Sequence, residues 1–287
     1  TIKAPVTIGH EFCGVIDEIG PGVKKLKEGD RVSGEGHITC GHCRNCRAGK
    51  KHLCPSTVGI GVNCNGAFAE YIVIPESNVW PVDSEISSEV ASFFDPLGNA
   101  VHSALSHEMI GEDVLITGAG PIGLMSIKIC QFVGARNIVI TDENDFRLNL
   151  AKEFGASKAV NIKTQNIKDH FEDLKIINGF DVGLEMSGNP YALNDMLTHM
   201  HHGGRVSLLG LLPKTTNINW DNVIFKGLIL KGIYGREMYE TWYKMTQMLK
   251  SGLDISQVIT HRISVDDFED GFRVMDSGQC GKVIMEW

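Results

Sequence analysis

The sequence lacks the features that direct a chain to a membrane or to nucleic acid. No apolar run approaches the roughly 18 residues that span a bilayer, and the first residues lack the charged-then-apolar layout of a signal peptide. Positive charge is in deficit, since 27 Lys and Arg face 35 Asp and Glu and leave a net charge of -8. This balance argues against general attraction to nucleic-acid phosphates or anionic lipids. We therefore expect a soluble cytoplasmic protein.

Internal repeats and low-complexity linkers are also missing, which argues against a repeat architecture. A chain of 287 residues with 43% apolar content is long for one core and suits two globular domains. It begins at Thr1 without a methionine and soon enters a glycine-punctuated, strand-like pattern. We therefore expect that further residues precede Thr1 in the natural protein.

Four of the eight cysteines lie in one stretch, GEGHITCGHCRNCRAGKKHLC, at residues 34–54. Two consecutive Cys-x-x-Cys steps and one longer step can direct four thiolates at a centre about 2.3 Å from each sulfur, as in a structural zinc site. The alternatives are core cysteines, disulfides or a nucleic-acid finger. The polar surroundings disfavour core cysteines, and the absence of a signal-peptide layout disfavours disulfides. The net charge disfavours a nucleic-acid finger. The predicted ligands are Cys40, Cys43, Cys46 and Cys54, with Arg44, Arg47, Lys50 and Lys51 offsetting their charge.

A glycine-rich motif, GAGPIG at 118–123, marks the middle of the chain. A short apolar run precedes it, an apolar helical pattern follows it, and a second strand ends at Asp142, 19 residues past the last glycine. This is the context of a dinucleotide-binding βαβ unit, with the phosphates on the helix N-terminus. Asp142 would accept hydrogen bonds from the adenosine ribose and repel a 2′-phosphate, which favours NAD over NADP. Gly118 permits the tight turn, Gly120 lets the pyrophosphate approach, and Gly123 allows close packing of helix and strand.

Four further apolar segments alternate with helical stretches after this motif. Uninterrupted apolar strands are required by a parallel sheet that is covered on both faces. Strand ends line the ligand crevice of such a sheet, so residues there are candidate walls for the nicotinamide half, with ordinary core or loop positions as the alternative. The segments are 159–162, 180–186, 204–212 and 227–235, and the candidate walls are Leu209, Gly210, Leu211, Ile233 and Tyr234.

The residues outside this sheet follow a different pattern. Short strands and many glycines at 1–98 are typical of a β-rich domain. The tail at 236–287 predicts a helix at 237–251, a short strand near Val258, another helix at 266–276 and a closing strand at 282–287, and it is too short to stand alone. The predicted domains are therefore 1–98, the dinucleotide-binding domain 99–235, and 236–287 as a return to the first domain.

Taken in order, GHE at 9–11, GDRV at 29–32, the cysteine stretch and the glycine motif resemble the zinc-dependent medium-chain alcohol dehydrogenases. The similarity runs over essentially the whole chain. It implies a Rossmann-type doubly wound parallel sheet inserted in a β-rich, GroES-like catalytic domain that is partial here. The longer stretches narrow the implied activity to NAD-dependent oxidation of the L-threonine β-hydroxyl to 2-amino-3-oxobutanoate. These stretches are GEGHITCGHCRNCR, FDPLGNAVH, GLEMSG and VIFKGLILKGIYGREMYETWYKM.

The resemblance also implies roles for single residues and a homotetramer. By that analogy His10 and Glu11 ligate a catalytic zinc, Asp95 takes part in the proton relay, and His37 lines the substrate pocket. The residues implied to contact NAD are Ile122, Asp142, Arg147, Leu209, Gly210, Leu211, Ile233 and Tyr234.

The chain departs from the family pattern at its start. Family members carry an upstream Cys-Gly-Thr-Asp motif and a nearby histidine, which supply a third zinc ligand and proton-transfer groups. With His10 and Glu11 alone the three usual protein ligands are incomplete, so we expect this chain to keep the structural zinc and to oxidise threonine poorly or not at all. Cys13 is expected to be a core cysteine, because strand spacing makes a chelate with His10 and Glu11 awkward. A polyol or other secondary-alcohol dehydrogenase, and a zinc- and NAD-binding module without catalysis, remain alternatives.

Overall fold

A computed structural model describes residues 4–287 of the chain. The strands are β1 (Gly14–Val15), β2 (Arg31–Gly34), β3 (His37–Ile38), β4 (Val58–Gly59), β5 (Val79–Pro81), β6 (Asp113–Thr117), β7 (Asn137–Asp142), β8 (Lys158–Asn161), β9 (Phe180–Glu185), β10 (Met200–Leu208), β11 (Ile229–Gly232), β12 (Ile259–Ser264) and β13 (Lys282–Glu286). The α-helices are α1 (Arg44–Arg47), α2 (Ser88–Ser92), α3 (Phe94–Ala104), α4 (Pro121–Phe132), α5 (Asp145–Glu153), α6 (Phe171–Leu174), α7 (Pro190–His199), α8 (Trp220–Phe225), α9 (Glu240–Lys250) and α10 (Phe268–Ser277). Single 3₁₀ turns lie at Lys51–Leu53, Glu76–Asn78, Ile167–His170, Ser256–Val258 and Val265–Asp267.

The chain divides into two compact units, each built from two stretches of sequence. Unit 1 contains Thr1–Gly98 and Tyr234–Gly252, and unit 2 contains Asn99–Ile233 and Leu253–Trp287. The predicted tail 236–287 therefore divides at Gly252, and only its first helix, α9, belongs with the first domain. In the remainder β12 pairs in parallel with β13 and α10 packs on that pair. It lies in unit 2, where the Asn144 side-chain amide donates to the Gly278 carbonyl at 3.0 Å.

Unit 2 is organised around a six-stranded sheet in the order β11-β10-β9-β6-β7-β8, in which every neighbouring pair is parallel. Strand order runs outward in both directions from β6 and β9, so the doubly wound parallel sheet predicted from the sequence is confirmed. Val114 of β6 pairs with Ile138 of β7 and with Val182 of β9, and all three are buried. The carboxyl ends of β6, β9 and β10 consequently meet at one edge of the sheet.

The core of unit 2 forms because these strands are apolar on both faces and the helices cover them. Its members are Leu115, Val139, Val160, Ile167, Ile176, Phe180, Leu193, Met196, Leu197, Met200, Val206 and Leu228. At about 25 cal/mol per Å² of apolar surface removed from water, this burial is the main stabilising contribution to the unit.

Sequence signals at helix starts explain how the loops after the strands are held. Gly120 is the N-cap of α4 and Pro121 its first residue, where a missing N–H costs no helical hydrogen bond. Asn144 caps α5, since its side chain accepts hydrogen bonds from the backbone N–H groups of Phe146 and Arg147. The loop after β6 therefore passes directly into a helix N-terminus, where the dipole favours an anion.

Unit 1 contains short antiparallel pairings, with sheets ordered β1-β2-β5 and β3-β4. Helix α9 contributes Trp242, whose side chain is fully buried. Its ring lies 5.5 Å from that of Trp80 and packs edge-on against Phe94 at 5.8 Å. Aromatic burial of this kind compensates for the small sheets. Across residues 4–287, none of the helices is both long and apolar enough to cross a bilayer.

Candidate active site

The cysteine stretch folds into one cluster in unit 1. The four sulfur atoms all lie within 4.8 Å of one another, and Cys46 and Cys54 are buried. Local geometry produces this, since the N–H of Cys43 lies 3.4 Å from the Cys40 Sγ and the N–H of Cys46 lies 3.4 Å from the Cys43 Sγ. All eight cysteines of the chain are free thiols, so the cluster is not a pair of disulfides.

Electrostatics within the cluster favours a bound cation. Backbone hydrogen bonds, first that from Cys40, lower the pKa of the Cys54 thiol to about 6, whereas desolvation and bonds to neighbouring thiols raise the pKa of Cys46 to about 11. Four thiolates at this spacing repel one another unless a metal neutralises them. Four sulfur ligands with no open position fit tetrahedral zinc. The predicted structural zinc ligands are thus brought together.

The second predicted metal site is less complete. His10 Nε2 lies 3.9 Å from Asp95 Oδ2, which is buried and accepts no hydrogen bond. A side chain at Gly36 would come within 3.3 Å of the His10 Cβ, so a glycine there leaves room between the two groups. Across residues 4–287 the cysteine cluster is the only group of three or more metal-binding side chains at ligand spacing. His10 and a neighbouring carboxylate are suitable ligands for a zinc ion that keeps open positions. They supply only part of the usual set of three protein ligands.

Asp95 and His37 are held by a buried ion network that sequence analysis missed. Arg236 Nη1 lies 2.7 Å from Asp95 Oδ1, and the same guanidinium donates through Nε and Nη2 to the fully buried Glu35. The Trp242 Nε1–H also donates to Glu35, at 2.8 Å. In the sequence, the only indication of this network is that Glu35 in GEGH and Arg236 in YGRE are charged residues beside small and apolar ones.

His37 is oriented by the same carboxylate. Its backbone N–H donates to Glu35 Oε1 at 3.1 Å, and its Nδ1 lies 3.0 Å from that oxygen. The imidazole ring is tilted against Tyr234, with the centroids 5.8 Å apart. The side chain is 26% exposed, so one face stays accessible while the other is fixed.

Burial and neighbouring charges in this network shift the pKa values of Glu35 and Asp95 in opposite directions. The Arg236 guanidinium, with the hydrogen bonds of His37 and Trp242, overcomes desolvation and lowers the pKa of Glu35 to about 2. Desolvation raises the pKa of Asp95 against the opposing pull of Arg236. Burial likewise raises the pKa of the Cys13 thiol, which is half-buried and hydrogen-bonded to Ser88.

The glycine motif forms a tight loop in unit 2. Gly118 has a positive φ of 91°, and a Cβ there would meet Ser187 at 3.0 Å. A Cβ at Gly123 would lie 2.0 Å from the Gly118 carbonyl oxygen, so only glycine permits this packing. A Cβ at Gly120, by contrast, would meet nothing within 4 Å, which leaves an open cradle above the helix N-terminus. That cradle fits a pyrophosphate.

Asp142 closes the loop from the next strand. Its Oδ2 accepts the Ala119 N–H at 2.7 Å, and its Oδ1 accepts the N–H groups of Glu143 and Asn144 at 2.8 and 2.9 Å. The carboxylate is half-exposed and keeps lone pairs for a ribose hydroxyl. Arg147 lies in the first turn of α5, with a buried Nε that lacks a hydrogen-bond partner.

The remaining predicted cofactor residues follow the ends of β10 and β11, except Ile122, which lies in α4. Leu209 and Gly210 follow β10, and their N–H groups donate to the Glu185 carbonyl at 3.0 and 3.1 Å. Leu211 is 94% exposed, whereas Ile233, after β11, is buried in unit 2. Tyr234 begins the second stretch of unit 1 and is exposed, and Ile122 lies half-exposed in the first turn of α4.

Known proteins match the chain along nearly its whole length. Residues 1–84 match the alcohol dehydrogenase GroES-like domain, and residues 121–251 match the zinc-binding dehydrogenase family. The chain is 62% identical over 287 residues to the L-threonine 3-dehydrogenase of Marinomonas sp. (strain MWYL1), covering all of this chain and 84% of that protein. It is 58% identical to the L-threonine 3-dehydrogenase of Stenotrophomonas maltophilia (strain K279a), with the same coverage.

A solved structure shows the same architecture. The short chain alcohol dehydrogenase of Escherichia coli CFT073, complexed with NADH, superposes with a TM-score of 0.91 at 27% identity, covering 99% of this chain and 85% of that one. Sequence identity over the full chain, the zinc-type cluster and the glycine loop agree with one another. The chain belongs to the zinc-binding alcohol dehydrogenase family, in the branch that contains the L-threonine 3-dehydrogenases.

Proposed function

We propose that the protein oxidises the β-hydroxyl of L-threonine to 2-amino-3-oxobutanoate and transfers the hydride to NAD. The observation that carries this proposal is the 62% identity to the Marinomonas enzyme over all 287 residues of this chain and 84% of that protein. The NADH bound to the Escherichia coli neighbour, the open cradle at Gly120 and the carboxylate of Asp142 support NAD as the acceptor.

Zinc at His10 and Glu11 would supply a Lewis acid for the substrate hydroxyl, and NAD would supply the hydride acceptor. Asp95 is proposed to receive or pass on the hydroxyl proton, because its Oδ2 accepts no hydrogen bond and faces His10 at 3.9 Å. Arg236 would hold that carboxylate in place through Oδ1. His37, anchored by Glu35, is proposed to present its accessible face to threonine and so to select the substrate.

The cofactor residues are assigned by the loops that carry them. Gly118 and Gly120 would shape the pyrophosphate cradle, and Asp142 would bind the adenosine ribose. The other residues proposed to contact NAD are Ile122, Gly123, Arg147, Leu209, Gly210, Leu211, Ile233 and Tyr234.

The experiment compares NADH formation with L-threonine, sorbitol and 2,3-butanediol. It uses this chain and the same chain preceded by the upstream segment of the Marinomonas enzyme, which is expected to add the third zinc ligand. We expect threonine to be preferred at least tenfold in kcat/KM, with turnover depending on the added segment. Preference for sorbitol or butanediol would contradict the threonine assignment, and NAD binding without turnover in either chain would indicate a non-catalytic module.

Metal analysis tests the two proposed zinc sites separately. The purified chain should hold about one tightly bound zinc, in the cysteine cluster. Cys46→Ser should remove it, whereas Cys130→Ser, a buried cysteine outside the cluster, should leave the zinc content unchanged. If the chain without the added upstream segment held two zinc ions and formed NADH with threonine, the conclusion that its catalytic zinc ligands are incomplete would be wrong.

We also propose that the protein is a homo-oligomer, a tetramer by analogy. Support comes from β11, an edge strand of the six-stranded sheet, where Ile229 is 57% exposed. Neighbouring α8 exposes Trp220, Ile224 and Phe225 in the single chain. An apolar edge of this kind is typical of surfaces that pair with another chain. Light scattering should give the mass of an oligomer, and Ile229→Lys should lower it.

A cytoplasmic location and a small-molecule substrate complete the proposal. All eight cysteines are free thiols, which suits a reducing compartment. The net charge of -8 gives no support to nucleic-acid binding.

A further inference from the structure

A second buried carboxylate, Glu185, lies at the carboxyl end of β9 and is fully shielded from solvent. Its Oε1 accepts the backbone N–H groups of Ser187 and Gly188, both at 2.9 Å, and lies 3.4 Å from the Thr117 hydroxyl. Its Oε2 is buried and has no hydrogen-bond partner. A carboxylate in such surroundings is expensive to bury, and an apolar side chain would serve packing alone at least as well.

The same residue contacts three loops. Thr117 immediately precedes the glycine motif, and Ser187 and Gly188 form the loop after β9. The loop after β10 is pressed against the carboxylate, since a Cβ at Gly210 would lie 2.4 Å from Glu185 Oε2 and 2.2 Å from the Gly188 nitrogen. The backbone carbonyl of Glu185 also accepts the N–H groups of Leu209 and Gly210. Glu185 therefore joins the ends of β6, β9 and β10.

We propose that Glu185 is a positioning residue for the nicotinamide half of the cofactor, an inference that rests on the proposed function. Its Oε1 fixes the loop after β9. That loop and the carboxylate together fix the loop Leu209–Leu211. Thr117, which donates to Oε1, connects these two loops to the glycine motif. Preorganised loops bind a ligand more tightly because less ordering is lost on binding. The adenosine half depends chiefly on Asp142, whose carboxylate is held by the N–H groups of Ala119, Glu143 and Asn144, so it should be much less sensitive to Glu185.

The role requires an acceptor at the Oε1 position and not a negative charge. Glu185→Gln can place its amide oxygen at Oε1, where the two N–H groups donate, and its NH₂ at the unpartnered Oε2 position. Glu185→Leu removes the acceptor and leaves those N–H groups without a partner. The glutamine variant is consequently the conservative rescue.

The test measures dissociation constants of NADH and of AMP, which carries only the adenosine half, with thermal unfolding of each variant. We expect Glu185→Leu to weaken NADH roughly tenfold while AMP affinity stays within about twofold, and Glu185→Gln to stay within about threefold for both. Asp113→Leu is the matched control, because Asp113 is a buried carboxylate at the opposite end of β6, where Arg136 and Asn137 donate to it. It should lower stability and leave the affinity for both ligands unchanged.

The outcomes separate the positioning role from general damage. Equal losses of NADH and AMP affinity in Glu185→Leu, or an NADH loss of the same size in Asp113→Leu, would overturn the positioning role. Failure of the Glu185→Gln variant to retain NADH binding would also overturn it, because charge would then be essential. If the unaltered chain bound neither NADH nor AMP, the proposed function itself would fail and the role of Glu185 with it.

Discussion

The two units each bury a glutamate completely, but they stabilise it in different ways. In unit 1, Glu35 is paired with the Arg236 guanidinium and accepts the Trp242 indole N–H. In unit 2, Glu185 accepts the backbone N–H groups of Ser187 and Gly188 and the hydroxyls of Ser187 and Thr117. The first arrangement joins segments 201 positions apart in the sequence, whereas the second joins loops at neighbouring strand ends. A long-range ion pair fixes distant segments, and a set of dipoles fixes a local loop geometry.

The largest effect is expected from removing the cation of unit 1. Arg236→Met would leave Glu35 and Asp95 buried without a positive partner, and breaking a buried pair in this way costs about 3–5 kcal/mol. Urea unfolding should report this loss as a lower midpoint. Lys244→Ala is the control, because Lys244 pairs with Glu240 on the exposed face of α9 at 3.1 Å and should cost at most about 1 kcal/mol. A loss for Arg236→Met no larger than that of the control would contradict a structural ion network.

Acid should break the same network in a defined window. The folded pKa of Glu35 is about 2, below its ordinary value of 4.5. Its stabilisation, about 3 kcal/mol, is therefore present above pH 4.5 and is lost as the pH falls towards 2. Burial raises the pKa of Asp95, so its contribution to stability changes with pH in the opposite direction and cannot cause this loss. The free energy of unfolding should fall steeply as the pH is lowered through this range, and Glu35→Gln should flatten that dependence. An unchanged slope in the variant would assign the loss to other groups.

Neutralising each glutamate in turn sharpens the comparison. Glu35→Gln should cost about 2 kcal/mol, since Arg236 would lose its anionic partner. Glu185→Gln should cost less than about 1 kcal/mol, because an amide oxygen can replace Oε1 and no cation is left behind. Chemical unfolding of both variants measures the difference. Equal costs would mean that the two carboxylates are stabilised alike, contrary to the contacts.

The sequence predicted those parts of the fold and site that depend on local spacing. The cysteine cluster and the loop at 118–123 were predicted because their residues lie within one or two turns of chain. The pairing of Glu35 with Arg236 could not be predicted, since nothing near either residue indicates which distant charge it meets. In helix α3, Gly98 gives room to Arg236, because a Cβ would lie 2.6 Å from its side chain. That contact explains a glycine in the FDPLGN stretch that spacing alone left unexplained.

Element boundaries differed from the predictions where backbone hydrogen bonds override the apolar pattern. The segment 204–212 was predicted as a strand, but β10 runs from Met200 to Leu208, with a register shift between Met200 and Arg205. It ends at Leu208 because the next two N–H groups turn to the Glu185 carbonyl. The short strand expected near Val258 is β12, which begins at Ile259 directly after a 3₁₀ turn at Ser256–Val258. The helices expected at 237–251 and 266–276 run over Glu240–Lys250 and Phe268–Ser277.

The smallest expected effect lies in unit 2, where acid acts through a histidine at a higher pH. Burial, followed by the nearby cations of Arg205 and Lys231, lowers the pKa of His107 from 6.5 to about 4. The neutral imidazole is favoured in the fold, so its contribution is present above pH 6.5 and is lost as the pH falls towards 4. His107 is only half-buried, so solvent screening makes its contribution smaller than that of the fully buried Glu35. His107→Gln should therefore remove a shallow slope of stability in that window and leave the steeper loss below pH 4.5, which belongs to Glu35, unchanged. Hydrogen exchange of backbone amides in each unit, measured across both pH windows, would locate the losses of stability. If His107→Gln also changed the loss of stability below pH 4.5, the assignment of that loss to Glu35 alone would be contradicted.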